Sequence, residues 1–210
     1  MSFSQERHED NLRIVSNIVS KICPTKTAEW LLKDSDFLTA PASTKFHGDY
    51  KGGLLDHSLG VIHYLARLVV VGMDDRLKNP DMYVSLATIG LLHDVCKIGV
   101  YQVEEEKMRT ETGEVLVEKI RCKENYPLGH GEKSCDLLAE YDMKLSREER
   151  LAVRWHMGAY GLTEKELLLY SQAVKESPLV FPLHTADMME TLYGRKDNVF
   201  LKNFLNAVPF

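Results

Sequence analysis

The sequence predicts an all-α protein that carries one small β-hairpin insertion at about residues 100–122. Apolar residues recur at helical spacing through most of the 210 residues, one central segment is apolar on nearly every face, and the 100–122 segment places β-forming residues around a turn sequence. The 44 % apolar and 27 % charged residues are typical of a folded globular protein. We expect a single domain over 1–210 with its core at about 41–193.

The elements follow in order from these patterns. An amphipathic helix opens the chain, and with a short helix at about 27–32 it makes up the predicted N-terminal helices at 5–34. A loop rich in glycine and other turn formers follows at 40–53. Later helices are predicted at about 54–71, 81–98, 178–193 and 198–207. The helix at 81–98 is the one that is apolar on nearly every face, as a central buried helix would be.

Local signals locate the remaining elements. The runs VYQVEE and EVLVEKIR flank the turn sequence TETG at 110–113, which predicts two paired strands. Two capping boxes, in which a hydroxyl residue precedes a glutamate by three positions, predict further helix starts at Ser146 with Glu149 and at Thr163 with Glu166.

Composition limits the compartment and the partners. The 26 Lys and Arg residues against 31 Asp and Glu residues give a formal charge of −5, which disfavours tight binding to duplex nucleic acid. The polar N-terminus lacks a signal-peptide core, no apolar run approaches the roughly 18 residues of a membrane span, and the four cysteines form no CxxC pair. We expect a cytoplasmic protein with reduced thiols and without membrane or duplex partners. A homo-oligomer is compatible with the sequence.

The sequence LLHDVCK is the strongest chemical signal, because it places His93, Asp94 and Lys97 inside the helix that we expect to be buried. Buried charges are paired, hydrogen-bonded or bound to a metal ion, since leaving them alone costs several kcal/mol or more. One interpretation is structural, with Asp94 and Lys97 as an ion pair and His93 as a core histidine. Cys96, within the same motif, is interpreted as a core residue and not a nucleophile.

The other histidines favour a metal site. Eight histidines are present, and five lie in segments that do not look like solvent-facing helix. These are His57, His93, His130, His156 and His184. Asp187 adds a second carboxylate flanked by apolar residues. Imidazole with carboxylate is the usual ligand set of Mn, Fe, Co, Ni and Zn, so a transition-metal site is the simplest explanation.

These residues resemble the HD-domain superfamily, whose pattern is a histidine, a His-Asp pair and a distant aspartate, each from a different helix of an all-α bundle. The matching residues are His57 in GGLLDHSLGV, His93 and Asp94 in LLHDVCK, and Asp187 in HTADMMET. His130 and His156 are similar to the further histidines of members that bind two metals. The motifs resemble in particular the HD domains of bacterial 3′→5′ exoribonucleases and of cyclic-dinucleotide phosphodiesterases.

The resemblance implies a fold and an activity. It implies an HD-domain helical bundle and a metal-dependent phosphohydrolase or phosphodiesterase that acts on a nucleotide or another phosphate ester through a metal-activated hydroxide. Two divalent transition-metal ions would be held, with Asp94 as the bridge and Lys97 as a contact to phosphate oxygens. His130 is alternatively a phosphate contact. His47 is a candidate for substrate contact, and His184 orients a ligand, packs locally or contacts substrate.

Two other classes of function share these residues. The di-iron HD oxygenases, such as inositol oxygenase, have the same six ligands followed by a lysine, so the ligands alone do not separate hydrolysis from oxygen chemistry. A non-catalytic nucleotide-binding module is expected to have lost a ligand, whereas this sequence retains the full set. The expected substrate is a phosphorylated small molecule or a short oligonucleotide.

Overall fold

A computed structural model describes residues 5–71, 79–110, 113–124 and 126–208, and it is all-helical apart from one antiparallel hairpin. The α-helices of the described residues are α1 Gln5–Ile22, α2 Thr25–Glu29, α3 Gly53–Val71, α4 Pro80–Leu92, α5 His130–Glu140, α6 Arg147–Trp155, α7 Glu164–Glu176, α8 Val180–Tyr193 and α9 Val199–Ala207. A π-helical turn at Trp30–Asp34 extends α2. The predicted all-α fold with a hairpin is confirmed.

Helix α3 lies at the centre of the bundle, where it packs against α8 on one side and α4 on the other. Its Leu55, Leu59 and Ile62 are fully buried, as the apolar spacing predicts. Gly60 permits the close approach of α8, because a Cβ at this position would overlap the side chain of Glu190. The α3–α8 contact therefore brings one end of α8 against the residues around His57.

Helix α4 ends at Leu92, so the prediction of one helix over 81–98 is wrong in its last six residues. Asp94 leaves the helical conformation at φ −111° and ψ 19°, and a single 3₁₀ turn follows at Val95–Lys97. The Lys97 amide donates to the Asp94 carbonyl at 3.0 Å. The turn is itself buried, and its Val95 and Cys96 continue the apolar spacing of α4, so the pattern could not mark where the helix stops.

The predicted hairpin is present as β1 Tyr101–Thr110 and β2 Gly113–Cys122, paired antiparallel from Tyr101 opposite Cys122 to Thr110 opposite Gly113. The predicted turn residues 111–112 lie outside the described residues. None of the strand residues is buried, so the ribbon projects from the helical body. Its base is closed where the Lys123 amide donates to the Val100 carbonyl at 2.8 Å.

Both predicted capping boxes are present, at Ser146 with Glu149 and at Thr163 with Glu166. Their hydrogen bonds start α6 and α7 because each satisfies two backbone groups at the helix N-terminus. Helix α8 begins two residues later than the predicted 178. No described helix combines the length and the apolar character that crossing a bilayer requires.

Candidate metal centre

The six predicted ligands come from five parts of the bundle and meet around Asp94. His57 lies on α3, His93 and Asp94 on the turn after α4, His130 at the start of α5, His156 directly after α6, and Asp187 on α8. His57, His93, Asp94 and His156 are buried, and Asp187 and His130 are partly exposed. Residues that are 130 positions apart in the sequence thus converge on one polar cluster inside an apolar bundle.

One oxygen of Asp94 faces a first group of candidate ligands, which are His57, His93 and Asp187. Its Oδ2 lies 3.5 Å from Nε2 of His57 and 3.6 Å from Nε2 of His93. Oδ1 of Asp187 lies 3.2 Å from Nε2 of His57 and 4.0 Å from Nε2 of His93. The two imidazole nitrogens are 3.3 Å apart. Two nitrogens and two carboxylate oxygens therefore point at one small volume.

The other oxygen of Asp94 faces a second group. Its Oδ1 lies 3.4 Å from Nε2 of His156 and 3.7 Å from Sγ of Cys96. Donor atoms of Asp94, Cys96 and His130 all lie within 4.8 Å of one another. The carboxylate of Asp94 thus separates two clusters of donor atoms, one on each oxygen.

Three histidines are oriented through their second ring nitrogen. Nδ1 of His57 is 2.6 Å from Oε2 of Glu190, Nδ1 of His93 is 3.0 Å from the Gly90 carbonyl, and Nδ1 of His156 is 2.7 Å from the Val153 carbonyl. Oxygen acceptors require Nδ1 to carry a proton, so in the neutral ring Nε2 keeps a free lone pair directed into the cluster. This is the arrangement that metal-binding histidines adopt.

The fit to a metal ion is supported by an unsatisfied atom. Nε2 of His156 is buried, and despite its 3.4 Å contact with Asp94 it makes no hydrogen bond of good geometry to any described residue. A buried polar atom without a partner costs about 1–3 kcal/mol. A metal ion bound to this nitrogen would remove that cost.

Lys97 forms a buried ion pair with Asp94, with Nζ 2.6 Å from Oδ2. Burial alone would lower the pKa of Lys97, but Asp94 outweighs it and raises that pKa above its usual value. Burial would raise the pKa of Asp94, yet Lys97 and the surrounding histidines hold it well below its usual range. The ion pair expected from the structural interpretation is therefore formed, and it lies inside the ligand cluster and not apart from it.

Neighbouring carboxylates and burial shift the pKa values of the histidines in the cluster. Burial would lower the pKa of His57, but Asp187, Asp94 and Glu190 together raise it well above 6.5. Burial lowers the pKa of His93 to about 4. A metal ion that binds His57 must displace a proton, so its binding is favoured as the pH rises.

The remaining candidate residues lie at the margins of the cluster. Nδ1 of His184 donates to the His156 carbonyl at 2.7 Å, so this residue supports the backbone of a candidate ligand. The ring centroids of His47 and His57 are 4.6 Å apart, and burial lowers the pKa of His47 to about 4. His63 lies outside the cluster, where it is buried beside Phe200 because its face of α3 is covered by α9.

Two residues of the cluster were missed by the sequence analysis. Glu190 lies one turn after Asp187 on α8, and that i+3 spacing was the only available signal for its contact with His57. Cys96 was expected to be a core residue, and it is buried, but its thiol contacts the carboxylate of Asp94.

The family model of the HD domain matches residues 54–177, which is more than half of the chain. The chain belongs to the HD-domain family. This family implies a metal-dependent phosphohydrolase at the level of the superfamily, and HD domains bind divalent metal ions. Neither the comparison with curated proteins nor that with solved structures gave a match.

The match to the HD domain includes His57, His93, Asp94, His130 and His156, whereas Asp187 lies ten residues beyond its end. The cluster of His57, His93 and Asp94 fits a metal site. The contact of Asp187 with His57 places this last residue at the same cluster despite its position outside the match.

Proposed function

We propose that this HD domain hydrolyses a phosphate ester, either a nucleotide or another phosphorylated small molecule or short oligonucleotide. The observation that carries the proposal is the position of Asp94, whose two carboxylate oxygens face two separate groups of donor atoms. A carboxylate in that position is suited to bridge two divalent transition-metal ions. His57, His93 and Asp187 would hold one ion with Asp94, and His130 and His156 would hold the other.

Metal ions bound here would supply a nucleophile at neutral pH, by lowering the pKa of water, and would polarise phosphoryl oxygens. The chain itself contributes the orientation of this nucleophile through the histidines that Glu190, Gly90 and Val153 fix in place. Lys97 carries a permanent positive charge next to Asp94, and we propose that it neutralises charge on the non-bridging phosphate oxygens.

The residues at the margins fit the same reaction. His47 lies against His57, and both of its ring nitrogens are buried without a hydrogen bond to described residues, so we propose that a substrate group supplies their missing partner. His184 acts indirectly, by holding the backbone at His156. The formal charge of −5 favours small or single-stranded substrates over duplex nucleic acid. The four free cysteines support a cytoplasmic location.

The test is elemental analysis of the purified protein, followed by a substrate screen with and without oxygen. We expect two transition-metal ions per chain and oxygen-independent release of phosphate or nucleoside monophosphate from phosphomonoesters, cyclic nucleotides or short RNA. His93→Ala should lose metal and activity, and His63→Ala, which removes a buried histidine outside the cluster, should keep the metal content.

Other outcomes would support other functions. Oxygen consumption with an organic substrate would indicate a di-iron oxygenase, and metal or nucleotide binding without turnover would indicate a binding module. A single metal ion that is unchanged by His130→Ala and by His156→Ala would leave a mononuclear site and remove these two histidines from it.

A further inference from the structure

The thiol of Cys96 lies among metal-binding side chains. Its Sγ is 3.7 Å from Oδ1 of Asp94, and its side chain is almost completely buried. Donor atoms of Asp94, Cys96 and His130 meet within 4.8 Å of one another. The three other cysteines join no such group in the part of the chain that the structure describes.

A second buried atom faces the same carboxylate oxygen. Nε2 of His156 is buried without a hydrogen bond to the described residues, and it lies 3.4 Å from the same Oδ1 of Asp94. Two ligands of one tetrahedral ion, bound at 2.0–2.3 Å, are about 3.3–3.6 Å apart. The separations of 3.4 Å and 3.7 Å are therefore close to those of neighbouring ligands on one ion.

A hydrogen bond to the Cys96 backbone fixes the position of this residue relative to the helix that carries His130. The Cys96 amide donates to Oγ of Ser134 at 3.2 Å, and Ser134 lies one turn after His130 on α5. The 3₁₀ turn that carries Cys96 is thereby attached to the helix that carries the histidine. A ligand held in this way loses little conformational freedom when it binds an ion.

We infer that Cys96 is a metal ligand, so that the ion on the Oδ1 side of Asp94 is bound by Asp94, Cys96, His130 and His156. On binding, the S–H bond breaks, the proton leaves to solvent, and the sulfur bonds to the metal as a thiolate with no change of oxidation state. A thiolate selects zinc, iron or cobalt over magnesium and manganese. The inference rests on the proposed metal centre, but on neither the substrate nor the reaction.

Cobalt(II) substitution tests the inference, because a thiolate ligand adds a sulfur-to-cobalt charge-transfer band in the near ultraviolet. We expect this band in the cobalt-loaded protein and in a variant that combines Cys23→Ser, Cys122→Ser and Cys135→Ser, where Cys96 is the remaining thiol. Cys96→Ser added to this variant should lose the band and keep the visible d–d bands. Absence of the band from the triple variant, or its persistence after Cys96→Ser, would overturn the inference.

The amount of bound cobalt separates failure of this inference from failure of the metal centre. Cobalt that is bound without the charge-transfer band removes Cys96 and leaves the metal centre, whereas failure to bind cobalt at all removes the metal centre. If Cys96→Ser does not fold, X-ray absorption of the zinc-loaded triple variant decides the question. A sulfur neighbour at about 2.3 Å is expected, and a first shell of only nitrogen and oxygen would contradict it.

Discussion

Asp56→Asn tests how the N-terminal helix is attached to the centre of the bundle. Oδ1 of Asp56 accepts hydrogen bonds from Arg7 at 2.8 Å, from Arg195 at 2.8 Å and from Asn11 at 3.2 Å, and Oδ2 accepts one from Tyr50 at 2.6 Å. One carboxylate therefore connects α1, the start of α3 and the segment after α8. It also directly precedes His57.

The expected cost follows from the burial of Arg195, which has no exposed surface. Removing one partner of a buried ion pair leaves an uncompensated charge and costs about 3–5 kcal/mol. The pair with Arg7 is partly exposed and adds at most about 1 kcal/mol. For a chain of this size, a loss of 3–5 kcal/mol lowers Tm by about 6–20 °C.

Circular dichroism during thermal and guanidinium unfolding measures this loss. Asp10→Asn is the matched control, because Asp10 also pairs with a cation, Lys202, but with an ammonium that is about half exposed. The control should cost no more than about 1 kcal/mol. Asp56→Asn could lower the free energy of unfolding by as little as the control does, or adding Arg195→Met to Asp56→Asn could restore none of the lost stability. Either result would show that the carboxylate does not compensate a buried charge.

The pH dependence has a definite sign. Burial would raise the pKa of Asp56, but Arg195, Tyr50 and Arg7 together hold it below its usual value. A lowered pKa stabilises the fold fully above the unfolded value of about 3.9, and this contribution disappears as the pH falls through the folded value. Wild-type protein should therefore lose more stability than Asp56→Asn as the pH is lowered through 4. Parallel losses in the two proteins would contradict the assignment.

Three further predictions concern the candidate centre and its surroundings. Asp94→Ala should abolish metal binding and activity, whereas Lys97→Ala should retain the metal and lower kcat about 100-fold, as measured by elemental analysis and kinetics; equal metal loss would favour a purely structural Lys97. Gly131→Ala should cost about 1–3 kcal/mol and weaken metal binding, because its Cβ would overlap the Arg154 carbonyl between α5 and α6. The hairpin begins four residues after Lys97 and ends eight residues before His130, so we expect it to form one wall of the pocket. Replacing residues 102–121 with a short Gly-Ser loop should therefore preserve helical circular dichroism and metal content but change kcat/KM unequally among substrates. Unchanged substrate preference would remove the hairpin from the site.

The features that the sequence predicted well depend on neighbouring residues. The capping boxes at Ser146 and Thr163 involve groups only three residues apart, so their residue types suffice to predict the helix starts. The end of α4 was not predictable in this way. The turn at Asp94 is buried by the rest of the bundle, and its Val95 and Cys96 continue the apolar spacing of the helix before it.

The parts of the site that the sequence did not predict depend on distant residues. Glu190 meets His57 across 133 positions, and Arg195 meets Asp56 across 139. Glutamate and arginine are common on protein surfaces, so the sequence alone does not mark Glu190 and Arg195 as buried. Only the packing of α8 on α3 brings these residues to their partners. His93 and Asp94 were recognisable because ionisable groups within an apolar segment require a partner, and His57 because its motif resembles the HD-domain pattern.

The end of α4 at Leu92 also has an electrostatic consequence. The aligned peptide dipoles of an α-helix leave roughly half a negative elementary charge at its C-terminus, and α4 ends directly before His93 and Asp94. The backbone therefore contributes an attraction for cations at the same position as the side chains. This attraction does not titrate, and it persists in any variant that keeps the helix intact. It would give even a variant lacking the Asp94 carboxylate a residual preference for cations over anions beside His93.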